Sequence, residues 1–149
     1  MASKLYLVHI QNRRKKLTKK THMLMGIAVT IPFVNWSNAI LLPIAIIGSF
    51  AADLDCIVSL KHRGITHTLL ALICSSGALS LMDYRLGLLW GINYATHLIL
   101  DSFTTSGVPI IYPISKKHYG FRLFKTRGAE DLFTGLLALY FIITIVTRD

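Results

Sequence analysis

The sequence predicts an all-α helical bundle integrated in a membrane, and three observations carry that reading. The 149-residue chain is 53% hydrophobic, with a mean hydropathy of +0.55, high for a water-soluble chain of this size. It is also strongly basic, with Lys+Arg 16 against Asp+Glu 7 and a formal net charge of +9. The charges are segregated from the apolar runs, and residues 23–52 carry no formal charge at all. A soluble basic nucleic-acid-binding domain does not normally hold such long uncharged runs. The length suits one domain with a real core.

Residues 1–20 contain Lys4, Arg13, Arg14, Lys15, Lys16, Lys19 and Lys20, seven of the sixteen basic residues, and no acid. Beside an apolar segment, such a run reads as a cytoplasmic flank facing anionic headgroups, with Leu5, Tyr6, Leu7, Val8 and Ile10 suited to the membrane surface. It is followed by Pro32, Asn35 and Trp36 rather than a compact apolar core and a small-residue cleavage site, so it does not read as a cleaved signal peptide. Residues 1–20 are therefore expected to be a basic N-terminal segment and 21–149 the helical membrane domain.

The polar cluster at residues 35–38, with Pro32 before it, breaks the first apolar stretch into a predicted helical hairpin of about 21–35 and 39–52. Residues 53–64 form a polar connection, 65–82 a third apolar run, 83–85 a tight turn and 86–103 a fourth run. Gly107, Pro109, Pro113 and Gly120 punctuate a long loop over 104–128, and 132–147 is a fifth run. The expectation is four to five apolar helices. Several fall short of the roughly 20 residues that cross a bilayer straight, which leaves tilted spans, shallow insertions or buried helices open.

Alternate crossing makes two predictions. One side of the bundle collects the N-terminal segment and the 53–64 and 104–128 loops, with 14 of the 16 cations, while Arg85 and Arg148 remain opposite. This positive-inside pattern places the basic face in the cytoplasm. The same alternation brings His22, Asp53, Asp55, His62, His67, His97, Asp101, Glu130 and Asp131 to that level, including five of the seven acids.

Among these, Thr96-His97-Leu98-Ile99-Leu100-Asp101 is the most telling stretch. His97 and Asp101 lie about 6 Å apart along a helix and about 40° apart around it, on one face. An uncompensated carboxylate in such apolar surroundings costs several kcal/mol. A metal ion, a buried cation or a hydrogen-bond network would compensate it. Imidazoles and carboxylates on facing helices suit zinc, iron, manganese or nickel. A two-metal centre bridged by one aspartate is within reach of this set. Cys56 and Cys74 form no CxxC pair and point to neither a disulfide framework nor a cysteine zinc site. Arg63, Lys116, Lys117, His118, Arg122 and Arg127 suit an anionic, phosphate-bearing substrate.

Plainer readings cover part of this inventory. Asp53 and Asp55 also suit helix capping, Glu130-Asp131 suits a helix N-terminus, and the loop cations suit solvated flanks. His9 and His118 suit the surface. None of these explains His67, His97 and Asp101, ionisable residues inside apolar sequence.

Thr21-His22 followed by Gly26, then Asp53-Leu54-Asp55, His62-Arg63-Gly64-Ile65-Thr66-His67-Thr68 and His97-Leu98-Ile99-Leu100-Asp101, with Thr104, Gly107 and Pro113 after them, form one ordered pattern. It resembles the YdjM/YbcI family of membrane-bound metal-dependent hydrolases, whose helical core is similar to zinc-dependent phospholipase C. The chain departs from the family's usual residues at Ala52, ordinarily proline, and at Thr68, ordinarily serine. Neither change removes a ligand, although the first bears on the turn presenting Asp53. The resemblance implies hydrolysis supported by a divalent metal, zinc foremost with manganese or iron as alternatives, in one to three ions. The phospholipase likeness points to lipid phosphoesters.

The expected ligands are His22, Asp55, His67, His97 and Asp101, with Asp53 bridging ions or orienting an imidazole. His62 or Glu130 would serve as general base or leaving-group acid. Arg63, Lys117, Arg122 and Arg127 would hold phosphate, and the membrane lipid would be the partner. One alternative is a non-catalytic protein that uses the metal structurally and recruits partners through its basic face. Another is a membrane-tethered nucleic-acid binder, against which stand the single aromatic of residues 1–20, Tyr6, and the lack of a nucleic-acid fold. The chain has no HExxH motif of a metalloprotease.

Overall fold

A computed structural model describes residues 19–35, 39–56, 64–123 and 129–148, with backbone alone at Asp55 and Cys56. The α-helices are α1 (Lys19–Thr30), α2 (Leu42–Gly48), α3 (Leu69–Ser80), α4 (Tyr84–Phe103) and α5 (Ala129–Val146). Short 3-10 turns follow α1, flank α2 and precede α3. Among the described residues the β pairing is limited to one bridge, Val108 to Tyr119, in the loop after α4. The all-α expectation therefore holds.

Local chemistry sets the boundaries. α1 passes into the 3-10 turn Ile31–Phe33, where Pro32 has no amide hydrogen to continue the ladder. The second arm differs from the helix expected over 39–52. It is a seven-residue helix opened by Pro43, and Ser49 then turns its hydroxyl onto the Ile46 carbonyl at 2.6 Å. The 3-10 segment Ala51–Cys56 follows. Asp83 caps α4 by accepting the Arg85 amide at 2.8 Å, which shortens the turn between α3 and α4.

The packing alternates. α1 and α4 run antiparallel, since Thr30 meets Asn93 and His22 meets Asp101. α3 and α4 form a close hairpin in which Trp90 Nε1 donates to Ser75 Oγ at 3.1 Å. A Cβ on Gly87 would lie 2.6 Å from the Ser76 carbonyl oxygen, so glycine sets that helix spacing. α5 lies along α1, its Gly135 beside Thr21 and Leu24. The starts of α1, α3 and α5 and the ends of α2 and α4 thus share one level.

The polarity of the helices is inverted relative to a water-soluble bundle. α5 buries Asp131, Thr134 and Ala138 while exposing Leu132, Phe133, Leu136, Leu137, Phe141 and Ile143. α3 buries no residue and exposes Leu69, Leu70 and Ile73. Small and polar residues inward with apolar residues outward is the arrangement of helices surrounded by hydrocarbon. Of the four to five apolar helices expected, one, α5, is long and apolar enough among the described residues to cross a membrane. α3, with 12 residues, reaches only about 18 Å at 1.5 Å per residue, short of a hydrocarbon core of about 30 Å.

Candidate metal centre

α4 carries Asn93, His97 and Asp101 at four-residue spacing, so helical twist gathers them into one buried stripe. α1 carries His22, Gly26 and Thr30 at the same spacing, also buried. The antiparallel pairing matches the two stripes end for end. Asn93 Nδ2 donates to Thr30 Oγ1 at 2.7 Å, the Gly26 position faces Asn93 and Ser49, and His22 Nε2 lies 3.6 Å from Asp101 Oδ1. The His22 and His97 rings stack with centroids 4.1 Å apart.

His67 enters from the 3-10 turn Ile65–His67, which is fastened at both ends. Tyr94 donates its hydroxyl to the Thr66 carbonyl at 2.5 Å, and Thr68 accepts the Ala71 amide to cap α3. The fully buried ring meets Thr66 Oγ1 through Nδ1 at 3.2 Å and turns Nε2 toward Asp101 Oδ2 at 3.4 Å and Asp53 Oδ1 at 3.8 Å. Asp53 arrives from the 3-10 segment after α2, its amide held by the Phe50 carbonyl at 3.0 Å. Ala52 beside it is buried against Tyr94 and Leu98.

His97 supplies the decisive detail. Its Nδ1 lies 2.7 Å from the Ser49 carbonyl oxygen, which only accepts, so the ring donates from Nδ1 and presents a lone pair at Nε2. That Nε2 is buried without a hydrogen-bond partner and faces Asp101 Oδ2 at 3.8 Å. A carbonyl behind an imidazole with its other nitrogen turned into a polar pocket is the arrangement that orients a metal-ligating histidine.

The spacings fit an ion better than direct pairing. Nitrogen-to-oxygen separations of 3.4, 3.6 and 3.8 Å exceed ordinary hydrogen bonds of about 2.7–3.2 Å. An ion with bonds of about 2.1 Å holds its tetrahedral ligands about 3.4 Å apart. His22, His97 and Asp101 form one group with converging ligand atoms, and Asp53, His67 and His97 form a second. The residues present fit a divalent cation.

Of the predicted ligands, the structure brings together His22, Asp53, His67, His97 and Asp101. Asp55 follows in the same 3-10 segment as Asp53, and its side chain lies outside the described residues, as do His62, Arg63 and Arg127. Lys117 and Arg122 sit exposed on the loop after α4, outside the buried cluster, with Lys117 Nζ 5.8 Å from the Tyr119 ring centroid. Glu130 is half-buried in the first turn of α5.

Sequence reasoning undervalued four residues. Asn93 is fully buried and fixes the register of α4 on α1, and Ser49 orients His97 through its backbone. Tyr94 fastens the His67 turn. Asp131, not Glu130, is the acid that α5 buries toward α1, where Thr21 donates to it at 2.5 Å. The signal was available, because Asp131, Thr134 and Ala138 fall on one helical face. Thr21→Val is expected to cost about 1.5–3 kcal/mol, the range for a hydrogen bond to a charged group. Thermal unfolding of Thr21→Val, Asp131→Asn and the double variant checks it, and purely additive losses would show that the bond contributes nothing.

A model of the YdjM inner membrane protein family matches residues 17–148. The chain belongs to that family. The matched span holds all five side chains of the YdjM-family cluster and the whole of α5, and an inner-membrane setting accounts for the apolar faces that α3 and α5 turn outward. No curated protein and no solved structure matches the chain.

Proposed function

We propose that this YdjM-family chain is a membrane-bound metal-dependent hydrolase that cleaves a phosphoester or pyrophosphate carried by a lipid at the cytoplasmic membrane surface. The observation that carries the reading is the convergence of three buried imidazoles and two buried carboxylates, with the His97 lone pair directed into their midst. A divalent cation held by His22, Asp53, His67, His97 and Asp101 would supply Lewis acidity toward a phosphoryl oxygen and acidify water.

The chain's own residues divide the remaining work. Asp101 presents Oδ1 to His22 and Oδ2 to His67 and His97, so both of its oxygens would be placed to help hold a divalent cation. Asp53 completes the His67 side. Ser49 holds His97 in the tautomer that leaves Nε2 as a ligand. Glu130, outside the buried cluster at the start of α5, is the described carboxylate suited to carry a proton to the leaving group, with His62 as the other candidate. The cytoplasmic assignment rests on charge. Lys19, Lys20, Lys116, Lys117 and Arg122 belong to the segments at the cluster's level, whereas Arg85 starts α4 at the opposite end.

One observation favours a second reading. Every described cluster residue is at least 95% buried, as in a closed structural site that keeps no position for substrate. Metal analysis of the purified protein, with assays on phospholipids and polyprenyl pyrophosphates, decides between them. The hydrolase reading expects bound metal and turnover that Asp101→Ala abolishes. Full metal occupancy without turnover on any of these substrates would establish the structural reading instead.

A further inference from the structure

Beside the cluster a cleft of about 270 Å³ opens between α1 and the segment after α2, lined by Lys19, Lys20, Met23, Phe50, Asp53 and Leu54. We propose that this cleft receives the phosphate-bearing end of a membrane lipid, with Lys19 and Lys20 holding the anion and Met23, Phe50 and Leu54 holding the first methylenes of its chain. The inference rests on the metal reading of the cluster and names the entrance that reading lacks.

Three features point the same way. Asp53 belongs to both places, lining the cleft while its Oδ1 lies 3.8 Å from His67 Nε2, so the cleft reaches the edge of the cluster. Lys19 precedes His22 by three residues and Lys20 precedes Met23 by three, which stacks each pair along one side of α1. The lining combines two exposed ammonium groups with an apolar wall that includes the 42%-exposed Met23. A small inorganic anion has no use for that wall, and an uncharged chain has no use for the lysines. A volume of about 270 Å³ leaves room for a headgroup while the acyl chains stay in the bilayer. Asp53 on this path would repel an approaching phosphate, and a cation held by the cluster would reverse that sign locally.

The test uses the full-length protein in a neutral detergent, with metal content and calorimetric binding measured on the same samples. The probes are dihexanoyl phosphatidic acid, inorganic phosphate and dihexanoylglycerol. The double variant Lys19→Gln/Lys20→Gln is expected to bind dihexanoyl phosphatidic acid more than about ten-fold more weakly at unchanged metal content, as the loss of charge-assisted hydrogen bonds implies. Lys19→Arg/Lys20→Arg is expected to restore binding. Inorganic phosphate and dihexanoylglycerol should each bind the wild type at least about ten-fold more weakly than the lipid that combines both features. Metal-loaded protein that binds the lipid equally well without its lysines, or binds inorganic phosphate as tightly, overturns the cleft assignment. Protein that takes up no metal overturns the metal reading itself.

Discussion

His97→Ala is expected to remove bound metal and to destabilise the protein more than any other single substitution in the cluster. His97 stands in both groups of converging ligand atoms, and the Ser49 carbonyl fixes its ring. Loss of residues that merely orient a ligand costs about 10–100-fold in metal affinity, so loss of the ligand itself should exceed about 100-fold. An ion present at about 1,000 times its dissociation constant stabilises the folded state by about 4 kcal/mol, which the variant forfeits. Chelation of the wild type should reproduce most of that loss. Comparing the variant with the chelated wild type then separates the missing ion from the cavity left by the imidazole. Elemental analysis and thermal unfolding with and without chelator give the answer. A variant retaining stoichiometric metal, or a wild type indifferent to chelation, would sink the assignment. Because the Ser49 contact is made by its backbone, Ser49→Ala should preserve metal binding.

Gly26→Ala is the second large effect, and its sign is the test. In an open helix this exchange stabilises by about 0.5–1 kcal/mol. At Gly26 the added Cβ would meet Ser49 Cβ at 2.5 Å and Asn93 Oδ1 at 2.6 Å, closer than packed atoms approach. Separating the helices costs about 1–3 kcal/mol in overpacking, and disturbing the buried Asn93–Thr30 hydrogen bond adds about 1–3 kcal/mol. The same shift moves the Ser49 carbonyl away from His97, so metal affinity should fall together with stability. Gly77 on α3 provides the control, because a Cβ there meets nothing within 4 Å. Gly77→Ala should be neutral or stabilising in the same unfolding measurement. Equal responses at the two glycines would refute close packing of α1 against α2 and α4.

Much of the bundle was legible in the sequence because two strong periodicities agree. Apolar runs separated by polar turns set the alternation, and the recurrence of histidine and aspartate at alternate run ends placed the chemistry at one level. His97 and Asp101 stood out because ionisable groups within apolar sequence need a physical reason. The broken second arm was harder to see, since the residues of Ala39–Gly48 are apolar whether helical or not. What decides its shape is Pro43 together with the close packing of Gly48 on Trp90. The contrast between Glu130 and Asp131 shows another limit. Adjacent acids look equivalent in a sequence, but a helix points them 100° apart, and the rotation of α5 follows from its Thr134 and Ala138 face. The number of complete spans was not legible, because apolar composition does not distinguish a crossing helix from a short one packed within the bilayer region; among the described residues α5 is the one long and apolar enough to cross.

The Thr21–Asp131 hydrogen bond links the most apolar helix to the helix that carries His22. It ties the first turn of α5 to the turn of α1 that carries His22, so neither helix slides along the other without breaking a buried contact. α5, with 18 residues, is about 27 Å long, close to the hydrocarbon thickness of an ordinary bilayer. A helix that nearly matches the bilayer answers a change in thickness by tilting or shifting. With α5 so placed, the bond would carry such a displacement to α1 and to the His22 turn it holds.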